Sequence, residues 1–230
     1  KRLLARYRAF LDNGHGTSPE YCAENEASQR RDAAYAKAVG SLFAFNGEDQ
    51  WQLARNFGVS EGELTAMRLY TANEYGAVND ALRANAESGR PLSEKYRVFR
   101  EVLNAGMDRM PAYTKRPARR FTYLPAKALA EHQVGAIVTY AAFTSASKME
   151  DWRWKGKDRH AFTLYNGGSG KDIDAISSNP GEGEILFKAG TRFKVISREA
   201  RPGSEAGVYE FVLAEVDEQG AVIASLPQVR

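Results

Sequence analysis

Glu182-Gly183-Glu184-Ile185-Leu186-Phe187-Lys188-Ala189-Gly190 is the stretch from which the fold can be read. The apolar run Ile-Leu-Phe, closed by Lys-Ala-Gly, has the length and composition of a buried strand. Two carboxylates flank a glycine at its entrance. Side chains alternate along a strand, so an extended backbone would send Glu182 and Glu184 to one side, while Gly183 lets the chain bend tightly just ahead of the strand. The expectation is two acids in one cleft. Taken alone, the fragment reads better as a solvated turn before a strand, so its surroundings must decide.

Outward from this stretch the texture of the chain divides. After Pro111 come short β-rich runs at residues 121–124, 136–143, 161–165, 184–187, 192–196 and 208–216, separated by turn formers such as Asn166-Gly167-Gly168-Ser169-Gly170 and Ser178-Asn179-Pro180-Gly181. Residues 1 to about 107 are rich in Ala, Glu, Arg and Leu, punctuated by Gly14, Gly47, Gly58 and Gly89-Arg90-Pro91, and read as four or five helices. The firmest of these starts at a capping box, Ser60 with Glu63. Its stripe Leu64, Met67, Thr71, Tyr75, Val78 and Leu82 recurs at spacings of three and four on one face, as core packing does. Helices first and strands second indicate an α+β fold. The loop Gly167-Gly168-Ser169-Gly170-Lys171 lacks the spacing of a nucleotide-triphosphate loop and reads as a hairpin turn.

The chain has 230 residues, 43% of them hydrophobic, enough to bury a substantial core. Its net charge of +3, from 32 basic and 29 acidic residues, is too small to require nucleic acid or an anionic membrane as partner. Cys22 is the lone cysteine and His15, His132 and His160 are widely spaced, so neither a disulfide nor a metal-binding cluster is expected. No stretch approaches the roughly 18 apolar residues of a membrane span, and Lys1-Arg2-Leu3-Leu4 is followed by Arg6 and Arg8 rather than by a signal core. A first residue other than Met is compatible with a segment cut from a longer protein whose targeting sequence lies elsewhere.

Three motifs occur in order: the basic stretch Lys115-Arg116-Pro117-Ala118-Arg119-Arg120-Phe121, the run Tyr140-Ala141-Ala142-Phe143-Thr144-Ser145-Ala146-Ser147, and the Glu182-Gly183-Glu184 entrance. An arginine before a strand, a serine at a strand end and Glu-x-Glu opening another strand resemble the Arg-Ser-Glu class of arginine-specific mono-ADP-ribosyltransferases, of bacterial toxin or effector type. Tyr70-Thr71, Tyr75, Asn79 and Leu82-Arg83 resemble that family's Tyr-Thr helix, and Ser169–Ile173 and Thr191–Val195 resemble the segments flanking its Glu-x-Glu loop. The resemblance covers roughly residues 60 to 215. It implies a helical extension over 1–58 and, over 59–230, a transferase domain with a core of two packed, mostly antiparallel sheets.

Breaking the bond between nicotinamide and ribose leaves positive charge on the sugar, which a fixed carboxylate stabilises. The resemblance implies Glu184 in this role, held by Ser145, with Glu182 pairing with the acceptor guanidinium and taking its proton. It implies Arg119 as the cation for the pyrophosphate of NAD, with Arg120 as the alternative register. In Trp152–Arg159, Trp154 is the candidate to stack on nicotinamide, and Lys157 or Arg159 to reach phosphate. Lys115 and Arg116 read as solvated charges. Two positions depart from the family pattern: Arg120, usually glycine or polar, and Ala146, usually threonine; as the middle residue of its strand, Ala146 should point away from the cleft.

The implied activity is transfer of ADP-ribose from NAD to an arginine of a target protein, without a metal, by a secreted or injected toxin or effector. The loop Ser177–Gly181 would contact the target, and a cognate immunity or delivery protein would be a further partner. The alternatives are NAD hydrolysis or nucleic-acid modification on the same fold, or a basic interaction domain in which Trp152–Arg159 contacts RNA and the two glutamates are surface charges.

Overall fold

A computed structural model of the chain describes residues 52, 56–149 and 158–226. The helices expected before residue 52, and Trp154 with its neighbours 150–157, lie outside the described residues. The chain forms two compact units: one ends at Arg109 and includes Ile176–Asn179, the other comprises Met110–Ala175 and resumes at Pro180.

The described residues of the first unit form helices: α1 (Glu61–Leu69), a π-helical segment (Tyr70–Glu74), α2 (Tyr75–Ser88) and α3 (Glu94–Arg109). The capping box forms as expected. Glu63 N donates to Ser60 Oγ at 3.3 Å and Ser60 N to the Glu63 carboxylate at 2.7 Å, satisfying two N–H groups that a helix start leaves unpaired. Glu63 also accepts from Arg109 Nε, at 3.1 Å to each oxygen, tying the end of α3 to the start of α1. Leu64, Met67, Thr71, Val78 and Leu82 are buried as their spacing predicts, but Tyr75 is 57% exposed. The wider π turn before it rotates everything that follows relative to α1, which a constant 3.6-residue period does not anticipate. That turn is stabilised by segment 176–179: Ser178 Oγ donates to Arg68 O at 2.8 Å, Ser178 N to Thr71 Oγ1 at 2.9 Å and Asn179 Nδ2 to Thr71 O at 3.1 Å. Carbonyls displaced from regular α pairing thereby find donors.

Among its described residues the second unit holds eight strands: β1 (Ala118–Thr122), β2 (Ile137–Tyr140), β3 (Thr144–Ser147), β4 (His160–Tyr165), β5 (Gly170–Asp172), β6 (Glu184–Phe187), β7 (Thr191–Ala200) and β8 (Tyr209–Glu215), with a short helix α4 (Ala126–Glu131). Their order is β2-β7-β8-β4-β1-β3-β6-β5, and every pair but β4–β8 is antiparallel. In place of two separate sheets, hydrogen bonding gives one ladder with a narrow seam. β1 and β3 meet at the single pair Arg119↔Ser147, whereas β1 pairs with β4 along its whole length. The inner face carries the core, including Ala118, Ala146, Phe162, Leu164, Ile185, Phe187, Phe193, Phe211 and Leu213, with Phe162 and Phe211 stacked at 4.9 Å.

Two local readings change. Residues 136–143 do not form one strand: β2 ends at Tyr140 to pair with β7, and β3 begins at Thr144 to pair with β6, so Ser145 lies inside a strand rather than at its end. The glycine-rich loop is not a hairpin, since β4 and β5, which it joins, have different partners. Its N–H groups converge on one carboxylate: Gly167, Gly168 and Ser169 donate to buried Glu215 at 2.7, 3.1 and 3.2 Å. The loop is an anion nest filled by the chain itself.

Candidate functional site

Glu184 opens β6 and is 7% exposed, an unusual place for a carboxylate without partners. Ser145 Oγ donates to its Oε1 at 2.8 Å. The register explains the contact. Ser147 faces Glu184 directly across the β3–β6 ladder, and Ser145, two residues earlier, projects from the same face. Ala146 points the other way into the core, as expected from alternation. Ser147 bonds elsewhere, its hydroxyl donating to Glu182 O at 2.8 Å and accepting from Met149 N at 3.0 Å.

The same ladder separates the two arginines. Arg119 lies opposite Ser147 on one side and Thr163 on the other, so Thr163, Arg119, Ser147 and Glu184 form one row on one face. Arg119 donates to Thr163 Oγ1 and borders a hollow of about 130 Å³, lined also by Ala161, Ser197, Glu199 and Glu210. The residues lining this hollow include neither Ser145 nor Glu184. Arg120 faces Phe162 on the core side and donates to the carbonyl of Ser145. An arginine on an apolar face needs such a partner.

Glu182 is placed differently from Glu184. It is exposed and lies in the turn before β6 rather than in the strand. Gly183 has φ +64°, so strand alternation does not run through it and does not set the direction of Glu182. A Cβ at Gly183 would also approach Met149 Cγ to 2.7 Å and Ser147 Oγ to 3.2 Å. The shared-side expectation for the two carboxylates therefore gives way to one acid fixed in the ladder and one on a turn. Sequence reasoning also missed what holds that turn. Asp174 Oδ1 accepts from Gly181 N and Gly183 N, each at 2.9 Å, and Lys148 N donates to Gly183 O at 2.8 Å. Lys148 Nζ pairs with Asp172 at 2.7 Å and lies 3.7 Å from Asp174 Oδ2.

The remaining candidates are dispersed. Ser177 is buried and Ser178 is bonded to the π segment, so of the loop 177–181 the exposed residues are Asn179, Pro180 and Gly181. Lys115 and Arg116 are exposed, with Arg116 Nε donating to Tyr113 Oη at 3.3 Å. Arg159 sits 5.1 Å over the ring of Tyr123, whose hydroxyl donates to Asp158 and holds that carboxyl below its ordinary range. His132 is buried between Ala128 O (2.6 Å) and Tyr140 Oη (3.0 Å), and burial lowers its pKa; burial lowers that of His160 too. Among the described residues no group of three or more His, Cys, Asp or Glu side chains is disposed to hold a metal ion.

Arg119, Ser147 and Glu184 thus lie in one row on one face of the sheet, with Ser145 bonded to Glu184 and the Gly183 turn just before it. The chain belongs to the NAD:arginine ADP-ribosyltransferase family, which it matches over residues 20–209, reaching further toward the N-terminus than the motifs alone indicate. A protein named NAD(+)--protein-arginine ADP-ribosyltransferase Tre1 from Pseudomonas putida (strain GB-1) is 34% identical over 159 residues, 69% of this chain and 30% of that protein. One of the same name from Serratia proteamaculans (strain 568) is 32% identical over 152 residues, 66% of this chain and 32% of that protein. The chain thus spans about a third of the length of these curated relatives. The fold is similar to that of the type III effector XopAI from Xanthomonas axonopodis pv. citri, with a TM-score of 0.64 at 18% identity, covering 94% of this chain and 99% of that one.

Proposed function

We propose that the chain moves ADP-ribose from NAD to an arginine of a target protein, releasing nicotinamide, and that its machinery lies within residues 59–230. The observation that carries this reading is the hydrogen bond from Ser145 to buried Glu184, on the same face as Arg119. A carboxylate held by a second side chain is oriented before substrate arrives, and orientation in a poorly solvated place is what makes charge stabilisation effective. Glu184 stabilises the positive charge that develops on ribose as the bond to nicotinamide breaks. Arg119, on the same face as Glu184, is the cation for the pyrophosphate of NAD, whereas Arg120 is directed to the core. Glu182, exposed on its turn, pairs with the guanidinium of the acceptor; as the new bond to the sugar carbon forms, the proton lost from the guanidinium passes to it. Trp154 is retained as the stacking candidate for nicotinamide.

Within this reading the protein is a secreted or injected toxin or effector, in keeping with the fold it shares with a type III effector, and a cognate immunity or delivery protein is a further partner. No helix among the described residues is long and apolar enough to cross a membrane. The test is incubation with NAD labelled in its ADP-ribose half, with and without agmatine as a guanidinium acceptor. Labelled agmatine together with released nicotinamide is expected; nicotinamide release that never labels a guanidinium would reassign the activity to NAD hydrolysis.

A further inference from the structure

We propose that Asp174 is a positioning residue for the acceptor half of the reaction, acting through the turn that presents Glu182. The inference rests on the function proposed above and adds a residue that no motif points to. The backbone of this turn is held from both sides. Asp174 Oδ1 accepts from the N–H groups of Gly181 and Gly183, Ser147 Oγ donates to the carbonyl of Glu182, and the N–H of Lys148 donates to the carbonyl of Gly183. Glu182 itself offers its side chain to solvent.

The consequence is a division of support between the two carboxylates. The Glu184 carboxylate is oriented by Ser145 from β3, and the segment before Asp174 reaches Glu184 at its backbone, where Ile173 N donates to Glu184 O at 3.1 Å. The amides on either side of Glu182 are oriented by a single oxygen of Asp174, and glycines at 181 and 183, with φ +97° and +64°, have no side chains that would hold the turn once that oxygen is gone. Lys148, paired with Asp172 and 3.7 Å from Asp174, keeps a cation beside both acids. Pre-organisation of an exposed carboxylate matters most where a floppy acceptor side chain must be caught in one geometry, and misplacement of about 1 Å at such a point costs up to about a hundredfold in rate.

The experiment compares Asp174→Ala and Asp174→Asn with the parent, measuring nicotinamide release from NAD alone and label transfer to agmatine. Asp174→Ala is expected to lower transfer about tenfold or more, chiefly through a raised KM for agmatine, and to leave NAD hydrolysis within about threefold. Asn keeps an oxygen that can accept both N–H groups, so Asp174→Asn should recover most of the lost transfer. In a Glu182→Gln background, adding Asp174→Ala should cost no further transfer, since the two act as one unit. Faster amide exchange at Gly181 and Gly183 in Asp174→Ala, with a single cooperative unfolding transition retained, reports the released turn independently of activity. Equal loss of hydrolysis and transfer in a folded Asp174→Ala protein, or full transfer in it, would overturn the inference and leave the proposed function standing. A parent protein that labels no guanidinium would instead remove the proposed function itself.

Discussion

Glu182 and Glu184 are two residues apart and occupy opposite physical regimes. Glu184 is buried, bonded to a serine and fixed by ladder pairing; Glu182 is exposed, and it is the backbone around it rather than its side chain that is held. Gly183 is the boundary, because with its positive φ the extended strand begins only after it, at Glu184. The contrast teaches that a Glu-x-Glu motif is not a symmetric pair of acids in one cleft. In the proposed function the shielded acid serves the sugar of NAD and the exposed one the acceptor arginine.

Mutation of each side tests how separate these regimes are. Glu184→Gln is expected to lower both nicotinamide release and arginine labelling by at least about a hundredfold, since an amide cannot stabilise charge on the sugar; near-parental release in this variant would break the comparison at its root. Glu182→Gln should reduce labelling of agmatine about a hundredfold while NAD hydrolysis stays within about threefold, because water needs less help than a guanidinium to attack the sugar. Equal loss of both activities there would mean that Glu182 serves the sugar or the fold. Ser145→Ala sharpens the buried side: one hydrogen bond to a charged group is lost, and turnover should fall about tenfold for hydrolysis and transfer alike. For Arg119→Ala the expected change is an NAD Kd raised about tenfold with the fold intact. If titration shows the loss with Arg120→Ala instead, the register moves by one residue.

The smallest effect concerns the sheet that carries Glu184. Burial lowers the pKa of His132 and His160, so between their folded values and the unfolded value of about 6.5 the unfolded chain binds more protons and stability falls as pH falls. Urea midpoints at pH 7.5 and pH 5.5 should therefore differ, lower at the acid end, and the difference should shrink in His132→Gln.

What could be read from the sequence was local. The Ser60–Glu63 box, the 184–187 strand and the inward direction of Ala146 each follow from neighbours a few residues apart, and each appears where its spacing placed it. What escaped depended on distant partners. Asp174 is seven and nine residues from the amides it binds, with no period to connect them. β5 has three residues, one a glycine, and exists because β6 is beside it. The exposure of Tyr75 follows from a π turn whose displaced carbonyls find donors more than a hundred residues away, at Ser178 and Asn179. Which of Arg119 and Arg120 shares the face of Glu184 lay in the phase of β1, which Ala118 sets by entering the core.

The carboxylate of Glu215 in its nest of three amides also bears on how the protein keeps to itself. Glu215 ends β8, yet it grips the loop that leads into β5, the last strand at the far end of the ladder. That edge is three residues long, and Lys171 within it is bridged by Ala112. Exposed strand edges invite pairing with another chain, and proteins blunt them by shortening or covering them. With its approach clamped and its middle bridged, the β5 border offers little template for a foreign strand, and the strand that carries Glu184, next in from that border, is screened from such pairing.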